Sequence, residues 1–149
     1  MHTNQRILVN ALINAGYAIE VIDPEQELIK VSRGEEQHLI LDRTSCKMSL
    51  LAAHLSASKY YTKQALSNAG LNTPKGKLFN LRDNAQYQEA IRYGMALPGC
   101  VVKPNYGSHA DNIYLNIEHK EHLSYVFDIL LSNNIGSCVI EEYIPFKEY

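Results

Sequence analysis

From Lys77 to Tyr143, short apolar runs alternate with helix-period stretches in one order, and that order limits the fold more than any other feature of the chain. Lys77-Leu78-Phe79 reads as a short strand. Asp83 is placed to cap a helix running through Ala96, which Leu97-Pro98-Gly99 ends. Cys100-Val101-Val102-Lys103-Pro104 is a strand closed by proline, and Asn105 to Asn112 is a polar loop. Ile113 to Ile117 is a strand, Glu118 to Leu131 a helix, and Ser137 to Tyr143 a last strand. The succession β-α-β-β-α-β is that of a split β-α-β, ferredoxin-like arrangement, and predicts an α+β fold.

The residues before it read differently. Ile7, Leu8, Ala11, Leu12 and Ala15 keep one apolar helix face, which Gly16 ends. Strands follow at Ala18–Asp23, Glu27–Ser32 and His38–Leu41, separated by the turns Asp23-Pro24-Glu25 and Arg33-Gly34-Glu35-Glu36. This α-β-β-β opening is too small to be a nucleotide-binding unit. Helical patterning resumes at Met48–Leu55, and Ser56 and Ser58 are candidate N-caps for a further helix, Lys59 to Asn68, which Gly70 ends.

Charge and cysteine content exclude several function classes. Lys and Arg number 14 against 16 Asp and Glu, so the chain lacks the basic excess of a nucleic-acid binder. Its apolar runs, such as Leu39-Ile40-Leu41 and Phe127-Asp128-Ile129-Leu130-Leu131, fall far short of the ~20 residues that span a bilayer. No secretory signal peptide can be read at the start. Neither nucleic acid nor membrane is expected as a partner. Cys46, Cys100 and Cys138 are scattered, with no C-x-x-C pair, which fits neither a disulfide framework nor a thiolate zinc site. A reducing cytoplasm is the simple reading. The G-x-x-x-x-G-K-[ST] phosphate-binding motif is absent.

Three segments carry the candidate chemistry. Lys103 ends an apolar strand, where an ammonium is costly unless something anionic meets it. The loop beyond Pro104 contains Gly107 and Ser108, whose backbone N–H groups and hydroxyl suit phosphate oxygens. The third segment, Val139-Ile140-Glu141-Glu142-Tyr143-Ile144-Pro145, runs an apolar strand into two carboxylates and a proline break, with Glu148 close behind. Such a break is expected to leave backbone groups unpaired and able to read a base edge. Singly, each feature has a plain structural reading: a snorkelling lysine, a turn, a solvated strand end.

Together, three stretches resemble the ATP-grasp superfamily of carboxylate–amine ligases: A-S-K-Y-Y-T-K-Q-A-L-S-N-A-G-L-N-T-P-K-G (57–76), V-V-K-P-N-Y-G-S-H-A-D-N-I (101–113) and V-I-E-E-Y-I-P-F-K-E-Y (139–149). The likeness is greatest to the ATP-grasp module of bifunctional glutamate–cysteine ligase/glutathione synthetase enzymes, with cyanophycin synthetase as a near cousin. Ile19 to Val31 and Asp42 to Ser45 resemble the segment that precedes the grasp in those enzymes. The resemblance implies a pre-grasp segment at 1–55. It also implies the N-terminal part of the ATP-grasp domain at 56–149, a linker helix plus the small nucleotide-clamping lobe, truncated at the hinge.

It further implies roles. Lys59 and Lys103 would reach the ATP phosphates from two sides. Gly107, Ser108, His109 and Ala110 would form the loop that closes over them. Glu141, Glu142, Tyr143 and Ile144 would form the adenine-reading hinge, and Glu148 would hold the ribose. The cofactors implied are ATP and Mg²⁺, with the Mg²⁺ carboxylates expected beyond residue 149, so that no metal-binding and no catalytic residue is assigned within the chain. The implied reaction is acyl-phosphate formation followed by amine attack. Its substrates would be a small amino acid or dipeptide, γ-glutamylcysteine with glycine in the glutathione case. A cyanophycin-type ligase and a non-catalytic nucleotide-binding module are the alternatives. Where the family loop carries two further glycines this chain has Ala110 and Asn112, and alanine takes up left-handed backbone poorly.

Overall fold

The computed structural model describes residues 3–42 and 44–145. The chain divides into two compact units, Met1–His54 and Leu55–Tyr149. The first opens with α1 (Thr3–Asn14) and continues into four antiparallel strands in sequential order: β1 (Ala18–Asp23), β2 (Leu28–Arg33), β3 (Glu36–Leu41) and β4 (Thr44–Ser45). Alternation in β2 buries Ile29 and Val31 on one face of this sheet. β4 has only two residues, too few for a period to show in the sequence.

Helix α2 (Leu50–Ala57) leads to α3 (Lys59–Asn68). Ser58 alone separates them and is the N-cap of α3, its hydroxyl accepting from Tyr61 N–H at 3.2 Å. Ser56, the other candidate cap, lies inside α2.

The second unit continues with β5 (Gly76–Asn80), α4 (Asn84–Met95), β6 (Cys100–Pro104), β7 (Tyr114–Ile117), α5 (Lys120–Ser132) and β8 (Ser137–Glu142). The sheet order is β5-β8-β6-β7. Because β8 is antiparallel to both β5 and β6, those two run parallel with β8 between them. By the same reasoning β7 and β8 run parallel with β6 between them. Both β-α-β units are therefore split. The second strand of each unit, β6 and β8, is central, whereas a ferredoxin-like sheet centres the first strands. The reading of that particular strand order is corrected accordingly. Element succession is a property of sequence period, but which strands become central is decided by tertiary pairing.

Helices α4 and α5 cover one face. Phe79, Ile91, Val102, Leu123, Phe127 and Ile140 belong to the core they enclose. Phe127 is fully buried and meets Tyr87 edge-on at 5.2 Å. A side chain of this size contributes about 1.5–3 kcal/mol by leaving water. Asp83 starts α4 by accepting from Ala85 N–H and Gln86 N–H at 2.9 and 3.1 Å. Burial pushes the Cys100 thiol up to about 11 and the Cys138 thiol to about 12. Among the described residues no helix is long and apolar enough to cross a membrane.

Candidate functional site

The period of two in β6 and β8 sets the site. Cys100, Val102, Cys138 and Ile140 point into the core, so Val101, Lys103, Val139 and Glu141 share the opposite face. The register pairs Val101 with Glu141 and Lys103 with Val139, which makes Lys103 and Glu141 diagonal neighbours. The Lys103 ammonium pairs with Glu141 Oε1, and Lys63 Nζ donates to Glu141 Oε2 at 2.8 Å. The Glu141 side chain is only 8% exposed. A carboxylate so buried is tolerable because both oxygens meet ammonium groups.

A third ammonium arrives on α3. Lys59 opens that helix, and Lys63 stands four residues on, along the same face. Lys59 Nζ donates to the Gly107 carbonyl at 2.9 Å. Burial, and then repulsion by the Lys103 charge, hold its pKa below that of an ordinary lysine. Lys59, Lys63, Lys103 and Glu141 line one basin of about 380 Å³, with Ser56, Thr62, Leu66, Thr73 and Pro74. Three ammoniums against one carboxylate leave it in cationic excess, suited to an anion.

The basin adjoins a second cavity of about 510 Å³ that shares Pro74, Lys103 and Glu141 with it. Val101, Ala110, Ile113, Leu115, Tyr143 and Ile144 give this cavity a largely apolar wall. Glu142 lines it as well, but its carboxylate turns back to accept from Lys75 N–H at 2.8 Å. Apolar walls with a few polar groups at one end suit a flat organic ring.

The unpaired backbone expected at the proline break begins beyond Tyr143. Glu141 is paired on both sides, opposite Gly76 of β5 and Val101 of β6. Glu142 N–H donates to the Lys75 carbonyl at 2.8 Å, and Tyr143 N–H to the Gly99 carbonyl at 2.9 Å. Backbone pairing thus reaches Tyr143, where the sequence reading ends the strand. Only at Ile144 does an N–H find no acceptor among the described residues, and its side chain lies at the cavity. Glu148 lies outside the described residues.

The loop after β6 keeps a glycine-like backbone without the glycines. Gly107, His109, Ala110 and Asn112 all have positive φ, at +114°, +61°, +60° and +56°. Ala110 and Asn112, the two departures from the family pattern, thus adopt the conformation a glycine would take with less strain. Ser108 Oγ and His109 Nδ1 are 2.8 Å apart, both residues exposed. Ala110 reaches the apolar cavity, and Gly107 touches Lys59.

No family model matches the chain. It is 28% identical over 153 residues to the glutathione biosynthesis bifunctional protein GshAB of Enterococcus faecalis, covering 100% of this chain and 20% of that protein. It is 27% identical over 123 residues to cyanophycin synthetase of Synechocystis sp., covering 82% of this chain and 14% of that protein. The crystal structure of D-alanine–D-alanine ligase from Helicobacter pylori superposes with a TM-score of 0.51 at 22% identity, over 63% of this chain and 27% of that one. The chain is related to the ATP-grasp enzymes. It spans a fifth or less of the length of these two curated relatives.

Within that ATP-grasp relationship, the structure brings Lys59, Lys103 and Glu141 together around one basin, with Gly107 bonded to Lys59, and Ala110, Glu142, Tyr143 and Ile144 around its neighbour. Two participants escape the sequence reading. Lys63 carries a signal in its i, i+4 spacing from Lys59. Asn105 carries none, because its importance lies in contacts with Ser58 and Tyr60, 47 and 45 positions away.

Proposed function

We propose that the chain is the nucleotide-binding part of an ATP-dependent carboxylate–amine ligase acting through an acyl phosphate. The reading is carried by the adjoining of a cationic basin and an apolar slot, with the Lys103–Glu141–Lys63 bridge between them. ATP needs both: a slot for a purine and ammoniums for about four negative charges. An ammonium ~4 Å from a phosphate charge interacts by roughly 4 kcal/mol at an effective dielectric near 20. Lys59 from the helix and Lys103 from the strand approach the phosphates from two sides and orient the terminal group for in-line transfer. Ile144 N–H, which has no acceptor among the described residues, would meet a purine ring nitrogen, and the 107–112 loop, whose Gly107 carbonyl accepts from Lys59 Nζ, would close over the phosphates. Among the described residues no group of three or more His, Cys, Asp or Glu side chains could hold a metal ion. Mg²⁺ is commonly held by only one or two carboxylates together with substrate phosphates, and the part proposed for the described residues is base and phosphate binding.

The glutathione synthetase type, joining γ-glutamylcysteine to glycine, is favoured by likeness to a bifunctional glutathione protein along the whole chain. A cyanophycin-type amino-acid ligase is the second reading, favoured by 27% identity to cyanophycin synthetases over 82% of the chain. Calorimetry tests the nucleotide reading: ATP is expected to bind more tightly than adenosine and to be displaced by ADP. Equal affinity for adenosine and ATP would remove the phosphate contacts from the account. Product assays with ATP, γ-glutamylcysteine and glycine separate the two ligase readings.

A further inference from the structure

Asn105 is 2% exposed and lies two residues beyond Lys103. Its N–H donates to the Ser137 carbonyl at 3.0 Å, and its own carbonyl accepts from Lys59 N–H at 2.9 Å. Its side-chain Oδ1 accepts twice, from Ser58 Oγ at 2.9 Å and from Tyr60 N–H at 3.1 Å. Residues 58–60 are the first turn of the helix that presents Lys59. One side chain thus ties the start of that helix to the end of the strand presenting Lys103, and to the root of the loop whose Gly107 carbonyl holds Lys59 Nζ. Fully buried Ser58 has its hydroxyl committed to the same tie.

We infer that Asn105 is the positioning residue for the anion site: it sets the separation of the Lys59 and Lys103 ammoniums and so selects a polyphosphate group over a smaller anion. Asn105 touches no ligand itself; it acts through Lys59. The inference rests on the nucleotide reading for the identity of the ligand, but the placement of the lysines does not. Two ammoniums held apart by fixed backbone bind a chain of phosphates without first paying the entropy of gathering them. Losing the tie lets α3 shift away from β6 while leaving the apolar slot, built from β6, β7 and β8, in place.

The test uses the full chain in three forms: the natural sequence, Asn105→Leu and Asn105→Asp. An aspartate accepts the same two hydrogen bonds, and leucine accepts neither. Binding of ATP, adenosine and inorganic tripolyphosphate is measured by calorimetry, and the Lys59 side chain is titrated by NMR. In Asn105→Leu, ATP and tripolyphosphate are expected to weaken about tenfold while adenosine changes less than about twofold. Lys59 is expected to titrate closer to an ordinary lysine as it loses burial and then the repulsion of Lys103. In Asn105→Asp, polyphosphate binding is expected to stay within about threefold. Equal loss of adenosine and ATP affinity, or unchanged polyphosphate binding and an unchanged Lys59 titration, would overturn the inference. If the natural chain binds neither ATP nor tripolyphosphate, the nucleotide reading fails, and the Lys59 titration still decides whether Asn105 sets the lysine pair. Asn105→Ser, a smaller change that also withdraws Oδ1, carries the test if the leucine variant does not fold.

Discussion

Lys103 and Glu141 are diagonal partners on neighbouring central strands, and their buried ion pair lies where the cationic basin meets the apolar slot. The same carboxylate also holds Lys63, so one residue of β8 fixes lysines from a strand and a helix. Removing that charge leaves two ammoniums in a poorly hydrated place. Glu141→Gln is expected to destabilise the fold by about 3 kcal/mol, read from urea unfolding. Glu142→Gln is the contrast: its Oε1 still accepts from Lys75 N–H, and stability is expected to change by less than about 0.5 kcal/mol. Equal effects at the two positions would refute the bridge.

Lys103→Ala leaves Lys63 alone to neutralise the buried Glu141 carboxylate. Lys103→Ala is expected to lower the unfolding midpoint measurably, and the double variant with Glu141→Ala to recover part of the loss. No recovery in the double variant would show the pair to be uncoupled.

Much of this site is legible in the sequence. Lys103 stands out as a lysine at the end of an apolar strand, Lys59 is picked out by the ATP-grasp resemblance, and the helix and strand that carry them are readable from period and capping. Tertiary register is not. Nothing local shows that β8 pairs onward to Lys75 and Gly99, or that β6 and β8, and not β5 and β7, occupy the centre of the sheet. Asn105 reads locally as a loop residue after proline, and only the folded chain brings Ser58 to it.

Acid sensitivity is expected at the start of α4. The Gln86 N–H and then further hydrogen bonds hold the Asp83 carboxyl below its usual range, outweighing a small opposing effect of burial. A carboxyl lowered in the folded state stabilises above its unfolded pKa of about 3.8 and loses that contribution as pH falls through the lower folded value. Asp83→Asn keeps an acceptor for the cap but cannot titrate. Its unfolding midpoint is expected to fall less steeply below about pH 4 than that of the natural chain. Parallel curves would contradict the cap's role.

The loop after β6 offers a stabilising change. Ala110 at φ +60° carries a cost of about 1 kcal/mol that glycine avoids. Ala110→Gly is expected to offset part of that gain through the freedom glycine adds to the unfolded chain, leaving a rise of a few tenths of a kcal/mol. Gly107→Ala, at φ +114°, is expected to destabilise. Thermal unfolding of the two variants decides between these signs, and a loss of stability in Ala110→Gly would show the left-handed alanine to be unstrained.

The account turns on two ammoniums meeting one polyphosphate. The most direct measurement is ATP and adenosine affinity, by calorimetry, for the natural chain, Lys59→Met, Lys103→Met and the double variant. Each single change is expected to weaken ATP about tenfold, with adenosine within about twofold, and the double variant to lose less than the product of the two because both lysines serve one ligand group. ATP affinity unchanged by either substitution, or lost in step with adenosine, would contradict it.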